Sequence, residues 1–416
     1  MLTPHEAQEV ILRTVHTLQS EMVSHEHAAG RTLAQDIIST VELPPFDNSA
    51  MDGYAVRAAD VDGASQASPV VLQVLETTAA GAAPEYSVEA GTCSKIMTGA
   101  PLPAGADAVI MREDTRGTKD GQVAILTTAR TGQHIRRAGS DVARGEVVLR
   151  AGSVVRAAEW GMLASLGCAH IEAHRQPRVA VLITGDELVA VDAELKPGQI
   201  RDSNSFTLRG LVENCGAIVS QYRHMPDDAA ALQDALRSCA AHCDAIVTSG
   251  GVSMGDFDPV RDVLHDTAHV HFWKVSMKPG KPVLFATLQD NEYSVPVFGL
   301  PGNPVSVMVS FEQFVRPALL QMQGRRARRR VTLPVRLQSA LNSPAGRTEF
   351  ARALVVPDAD EPNSWRAILP GDQGSGRLST MTQANALLHV PADVTHVEAG
   401  SFLQAQMTDW PEIAAE

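Results

Sequence analysis

Apolar residues recur near helical spacing through "PHEAQEVILRTVHTLQS" (residues 4–20), with Thr3 placed as an N-cap, so the chain is predicted to open on a helix. "EHAAGRTLAQDIIST" reads as a second short helix, or as a helix and a strand. From about 46 to 146 the texture changes. Short β-branched runs such as "VVLQVL" and "QVAILTT" alternate with Gly and Pro clusters such as "GAPLPAGAD", the pattern of a small all-β domain. Residues 147–176 include a helix from about Ala157 to Leu166 and are expected to rejoin the N-terminal segment.

From Pro177 to about Gly324 strands and helices alternate. "RVAVLIT" reads as a buried strand, and "SNSFTLRGLVENCG" as a helix capped by Ser203 and ended by Gly216. "AIVSQYR", "DAIVTSGG", "HFWKVSMK" and "VPVFGLPG" read as strands; "DDAAALQDALRSCAAH", "PVRDVLHD" and the long "PVSVMVSFEQFVRPALLQMQ" read as helices. Continuous apolar strands alternating with helices predict a mostly parallel, three-layer α/β sheet. "GRRARRR" (324–330) reads as a solvated linker rather than a phosphate patch, and residues 331–416 as a small C-terminal β-barrel.

Composition narrows the class. The 416 residues are too many for one core, and 44% apolar with 20% charged residues is ordinary for a soluble globular protein. No apolar run approaches a membrane span, and the N-terminus carries no secretory pattern. A net charge of −13 argues against nucleic acid as a general partner, though not against a small anion in a local basic pocket. Cys93, Cys168, Cys215, Cys239 and Cys243 suggest no disulfide framework; they read as structural thiols in a reducing, cytoplasmic setting.

Ligands of open α/β sheets sit at the carboxyl ends of the strands. Here those ends carry three polar, Gly-containing turns. They are Thr184-Gly185-Asp186-Glu187, then Ser249-Gly250-Gly251 followed by Asp256 and Asp258, then Pro301-Gly302-Asn303-Pro304 leading to Ser306. Glycine lets backbone N–H groups approach an anion, and a helix N-terminus favours negative charge. Glu187, Asp256 and Asp258 would repel phosphate unless a divalent metal lay between, and oxygen ligands point to Mg²⁺. Asp256 and Asp258 could instead cap the helix "PVRDVLHD". On a continuous strand Lys274, Ser276 and Lys278 would share one face, with the lysines about 13 Å apart, a spacing suited to an extended polyanion; Lys281 follows a Pro-Gly turn. "PPFDNSAMDGYAV" (44–56) is unusual for a turn. It combines Asp47 and Asp52 with the large residues Phe46, Met51 and Tyr54, which are expected to anchor it.

These stretches, together with "IMTGAPLPAGADAVIM", "IRRAGSDV", "TGDEL", "GQIRDSNS", "TSGGVSMGDFD", "MKPGKPV" and "GLPGNPVSV", run in one order along most of the chain. The chain thereby resembles the MoeA family of molybdopterin molybdenumtransferases, to which the E domain of gephyrin is related. The resemblance implies four domains. These are an elongated N-terminal dimerisation domain (1–45 with 147–176), an inserted β domain (46–146), an α/β molybdopterin-binding domain (177–327) and a C-terminal β-barrel (328–416). It also implies a cytoplasmic homodimer, in which the β domain carrying Asp52 approaches the α/β domain of the other subunit, and other cofactor-biosynthesis proteins as partners. The implied reaction takes adenylylated molybdopterin and molybdate to molybdenum cofactor and AMP with Mg²⁺. Carried over by motif, the site comprises Asp52, Thr98, Asp141, Glu187, Asp258, Lys274, Lys278, Pro301 and Pro304, with Asp227 or Asp228 of "MPDD" (Asp228 is taken here) and, on shorter matches, Arg352 and Ser375. Arg201 stands where an aromatic residue is expected. The alternatives are a gephyrin-like scaffold without catalysis and a molybdopterin adenylyltransferase.

Overall fold

The computed structural model describes residues 1–118, 121–251, 259–290, 293–359 and 361–410. These form two compact units. One holds 1–34, 152–155 and 171 onward; the other holds 35–151 and 156–170. The expected N-terminal segment is therefore shared between them.

The larger unit is built on a six-stranded sheet. Its order is Ile218–Met225, Arg178–Thr184, Ala245–Ser249, Tyr293–Leu300, Leu284–Asp290, His269–Trp273. The first four strands are parallel. Leu284–Asp290, which the apolar pattern did not single out, runs antiparallel to its neighbours on both sides. Two reversals restore direction, so His269–Trp273 ends on the same edge as the parallel strands. In Arg178–Thr184, Val179, Val181 and Ile183 enter one core while Ala180 and Leu182 enter the other. Burial on both faces is why the strand reads as an unbroken apolar run.

From Arg178–Thr184 the chain steps to one neighbour, Ile218–Met225, and then to the other, Ala245–Ser249. The helix Asn204–Asn214 buries Leu208 and Val212 in the first core, whereas Pro259–Thr267 buries Val263 and Leu264 in the second. Connections that part to opposite faces open a crevice at the strand ends between them.

The C-terminal strands close on themselves. Thr348–Pro357 pairs over one stretch with Ala386–Val390 and over the other with Trp365–Ile368, and the ring is completed through Thr332–Leu337 and Phe402–Met407. This is the expected barrel, closed around the ring except at the start of Thr348–Pro357, whose outer edge there is left open. Met277–Lys278 adds to Thr348–Pro357 in parallel as an extra strand.

The second unit contains a six-stranded sheet in the order Ala108–Met111, Gly53–Val56, Thr92–Ile96, Val70–Thr78, Gln122–Ile125, Thr115–Gly117, over a core of Val56, Leu72, Cys93, Ile110 and Val123. The antiparallel pairing of Ile37–Ile38 with Val147–Leu149 brings together the chain entering and leaving this insertion.

Several local expectations change. The opening helix is Pro4–Thr14, closed by a reciprocal Thr3–Glu6 capping box. "EHAAGRTLAQDIIST" gives only a three-residue 3₁₀ turn and the strand Ile37–Ile38. The cap of Asn204–Asn214 is not Ser203, whose side chain makes no capping bond; Asp202 accepts from the Ser205 N–H at 3.0 Å. "GRRARRR" is solvated only in its middle, where Arg326, Ala327, Arg328 and Arg329 are exposed; its end is tied down. Arg330 pairs with buried Glu312 at 2.8 Å, and Arg316 donates to the Arg328 carbonyl.

Candidate active site

Three strand ends meet at the crevice. The Ser249 hydroxyl donates to the Pro301 carbonyl at 3.1 Å, and the Asn204 amide donates to Ser249 Oγ at 3.0 Å and to the Gly302 carbonyl at 2.7 Å. One buried asparagine thus ties a helix start to two of the turns. Gly250 and Gly251 have φ of +96° and +61°, conformations that favour glycine. A Cβ on Gly250 would lie 2.5 Å from the Thr184 carbonyl oxygen, and one on Gly251 would lie 2.5 Å from a Val260 methyl. The glycines therefore allow the turns to pack together. Two buried oxygens remain unsatisfied here, Asn204 Oδ1 and Thr184 Oγ1. The Thr184 hydroxyl meets no partner at full hydrogen-bond geometry, yet lies close enough to Asp227 to favour its charged form.

Carboxylates gather beside Thr184. The Glu187 carboxylate folds back over Gly185, and the Asp227 N–H donates to Asp186 at 3.3 Å. Partial desolvation first, then the charges of Asp186 and Glu187, push the Asp227 carboxyl above its ordinary range. Asp228 is turned away to a helix start, where its carboxylate caps Ala229–Ala240 through the Ala231 N–H at 2.7 Å. Asp227, rather than Asp228, is therefore the aspartate that gathers with Asp186 and Glu187. Asp256 and Asp258 lie outside the described residues.

The lysines are held differently from the expected strand face. The strand stops at Trp273; Lys274 adopts φ +79°, and Met277–Lys278 belongs to a separate ladder. The left-handed residue breaks the two-residue alternation, so the equal-face spacing does not apply. Lys274 Nζ sits 3.7 Å from the centre of the Trp273 ring, a cation–π contact. Lys278 Nζ pairs with Glu349 at 2.9 Å. The Lys281 carbonyl accepts from Val275 and Val283 N–H, pinning the turn between the lysines.

Across the crevice Pro304 opens the helix Pro304–Ser310, continued by a π turn Phe311–Val315 and Arg316–Met322; Ser306 is buried. Asn303, at the cap position, donates to Ser375 Oγ at 3.1 Å, and the Val305 N–H donates to the Ser375 carbonyl at 3.2 Å. Ser375 is thus delivered to the helix start. Arg352 does not face the crevice: it is fully buried, and its guanidinium donates to the Asp372, Gln373 and Gly374 carbonyls and to Thr380 Oγ1. It fixes the loop that carries Ser375. Arg201 likewise turns onto its own loop, donating to the Val191 and Ala193 carbonyls.

In the other unit, Asp52 accepts from both the N–H and the hydroxyl of Thr98 at 2.7 Å. The Thr98 N–H first, then its hydroxyl, hold this carboxyl below the usual range. Asp141 is exposed and donates its N–H to the Leu43 carbonyl, so "IRRAGSDV" runs beside "PPFDNS". Of the three expected apolar anchors, Phe46 and Met51 are not anchors, being 44% and 41% exposed, whereas Tyr54 is partly buried and packs against the core of this unit. The loop is held by Asp47, which accepts from the Ala138 N–H and pairs with Arg137, and by buried Asn48 and Ser49 paired with Ile135–Arg136.

Motif reading alone missed Asn204, Trp273 and Glu349. Glu349 had one signal, an acid buried near the start of the mostly apolar strand Thr348–Pro357. Among the described residues no cluster of His, Cys, Asp or Glu is tight enough to hold a metal unaided. The donor set still fits Mg²⁺, which binds through one or two carboxylates plus substrate phosphate. The carboxylates here are oxygen-only and mutually repulsive, and a buried hydroxyl oxygen is left over.

Comparison with known proteins adds the family. Residues 2–167 match the MoeA N-terminal region (domain I and II), 180–321 a probable molybdopterin binding domain, and 334–406 the MoeA C-terminal region (domain IV). The chain is 39% identical to molybdopterin molybdenumtransferase 2 of Mycobacterium tuberculosis, over 97% of this chain and 99% of that one. It is 36% identical to the molybdopterin molybdenumtransferase of Haemophilus influenzae, over 96% and 97%. Identity to gephyrin of Dictyostelium discoideum is 34%, over 97% of this chain and 62% of the longer protein. The crystal structure of the molybdopterin biosynthesis moeA protein from Pyrococcus horikoshii superposes with a TM-score of 0.82 at 32% identity, covering 98% of this chain and all of that one.

Proposed function

Because the chain belongs to the MoeA family of molybdopterin molybdenumtransferases, we propose that this transferase inserts molybdate into adenylylated molybdopterin and releases AMP, with Mg²⁺ as its metal. The observation that carries the reading is the crevice itself. Two turns joined through Asn204 and Ser249, with the Thr184 turn packed against Gly250, meet at the sheet's switch point, bordered by Asp186, Glu187 and Asp227, while Lys274 follows a strand that ends on the same edge. Such a crevice suits a ligand with an anionic phosphate bridge. Cleaving a phosphoanhydride needs charge neutralisation more than a nucleophile. In this reading Lys274 and Lys278 meet the phosphate oxygens, and Asn303 and Ser375 line the helix start. Glu187 and Asp227, with Asp258, hold the metal. When bound, Mg²⁺ supplies polarisation of a phosphoryl oxygen.

The proposal includes a cytoplasmic homodimer in which the Asp52–Thr98 pair and Asp141 of one copy serve the crevice of the other. No helix among the described residues is long and apolar enough to cross a membrane.

The deciding experiment follows adenylylated molybdopterin and AMP with and without molybdate. Molybdate-dependent AMP release is expected. No consumption would favour a gephyrin-like scaffold, and ATP-dependent formation of the adenylylated pterin would favour an adenylyltransferase. Asp258→Asn keeps a capping oxygen and removes the charge; a large loss of rate, partly restored by high Mg²⁺, is expected. A wild-type rate across a Mg²⁺ titration would reduce Asp258 to a helix cap.

A further inference from the structure

We propose that Glu349, contributed by the barrel, is a positioning residue that holds the Lys278 ammonium where an anionic group of the substrate is met. The inference rests on the reading of the crevice given above. Lys278 and Glu349 are register partners across the parallel ladder between Met277–Lys278 and Thr348–Pro357. The Thr348 N–H donates to the Ser276 carbonyl at 3.1 Å, locking that register. Beyond Lys278 the chain is fixed again: Gly280 sits at φ +94°, where a Cβ would lie 2.6 Å from Ser310 Oγ. Backbone constraint on both sides still leaves a flexible four-carbon stem. Glu349 Oε1, 2.9 Å from Nζ, removes that freedom.

The burial of the pair is lopsided. Glu349 is 1% exposed, whereas the Lys278 side chain is 31% exposed. The carboxylate is the fixed end and the ammonium is the end a ligand reaches. An ammonium has three N–H donors. Glu349 takes one and leaves two for an oxyanion. Stability does not account for the carboxylate, because a buried ion pair is often matched or bettered by apolar packing. Glu349 Oε2 is buried with no partner at all, a cost that a purely structural side chain would avoid. A lysine held at one distance from a fixed carboxylate explains the lopsided burial.

The test uses the full-length protein with Glu349→Gln, which removes the charge at constant shape, and Glu349→Asp, which keeps the charge but shortens the reach. Three readouts are taken: the melting temperature, kcat and KM for adenylylated molybdopterin, and the fraction of Lys278 acetylated by limiting acetic anhydride, measured by mass spectrometry. The expected result is faster acetylation of Lys278 in both variants and a kcat lowered about tenfold or more, since small misplacements of a charge-stabilising group are that costly. KM should stay within about twofold, because the ammonium itself remains available to the ground state. Unchanged acetylation and unchanged kcat would overturn the proposal. Faster acetylation with unchanged kcat would also overturn it, since the pair would then place nothing the reaction uses. A lower melting temperature with unchanged kcat per folded molecule would make Glu349 structural only. If the wild-type protein itself releases no AMP, the functional reading fails. The acetylation arm then still decides whether Glu349 holds Lys278.

Discussion

Asp227 and Asp228 are neighbours in different surroundings, and a pair of substitutions separates them. Asp228→Ala removes a helix cap and is expected to cost about 1 kcal/mol of stability with the rate per folded molecule unchanged. Asp227→Asn removes one of three clustered carboxylates and is expected to lower molybdate-dependent AMP release at least tenfold, with little change in melting temperature. Equal rates in the two variants would take Asp227 out of the site. Asp52 offers a pH test. Its pKa is lowered, so the Thr98 contacts favour the charged form; their contribution is present above the unfolded-state pKa and is lost as pH falls through the folded one. Thr98→Val keeps the N–H and deletes the hydroxyl, so the Asp52 midpoint, followed by carboxyl ¹³C NMR, should move part of the way back up. A midpoint that does not move would leave the hydroxyl with no share in the effect. Lys274 carries its own strain at φ +79°, which its contact with the Trp273 ring and the Lys274 N–H bond to the Val283 carbonyl help to hold.

At the scale of elements, the helix Asn204–Asn214 is started by the side chain before its nominal cap. Asp202 also accepts from the Tyr222 hydroxyl at 3.1 Å, so it ties the helix start to the neighbouring strand. Asp202→Ala should therefore cost about 1–3 kcal/mol in chemical denaturation, a lost cap plus a stranded hydroxyl, while Ser203→Ala should be near neutral. The reverse order would mean that Ser203 caps in solution. Gly250 makes a sharper demand on its turn. Gly250→Ala combines a left-handed alanine with a Cβ pressed on the Thr184 carbonyl, and should cost at least about 1–3 kcal/mol while also lowering the rate. Retention of both stability and rate would show that the turn rearranges freely.

For the whole molecule, the second unit shows its Asp52 loop with Phe46 and Met51 exposed beside it, and the proposed homodimer gives that exposed surface a use. Sedimentation at micromolar concentration is expected to give a dimer. A fully active monomer would rule out a site completed by a second copy. The thiols bear on handling of the whole chain. Cys93, Cys215, Cys239 and Cys243 are buried, and burial pushes Cys93 up to about 12 and Cys215 up to about 11, so these two should resist alkylation in the folded protein.

The sequence by itself determined the elements that repeat a strong period and the turns that glycine and proline mark. Both-sided burial makes residues 179–183 and 245–247 continuous apolar runs, so the parallel sheet and the polar turns at its edge were legible. The family order of motifs was legible too, because it is written in local residues. Tertiary structure decided what local pattern does not encode. Lys274 left its strand through a single left-handed backbone angle, which no alternation of side chains reveals. Arg352 looked like a ligand contact until the fold buried it under three carbonyls of a loop 20 to 22 residues away in sequence. Glu349 met Lys278 only because a barrel strand 71 residues downstream pairs in register with Met277–Lys278. Pairings of that kind are set by which surfaces pack together, and packing depends on the whole chain rather than on any window of it.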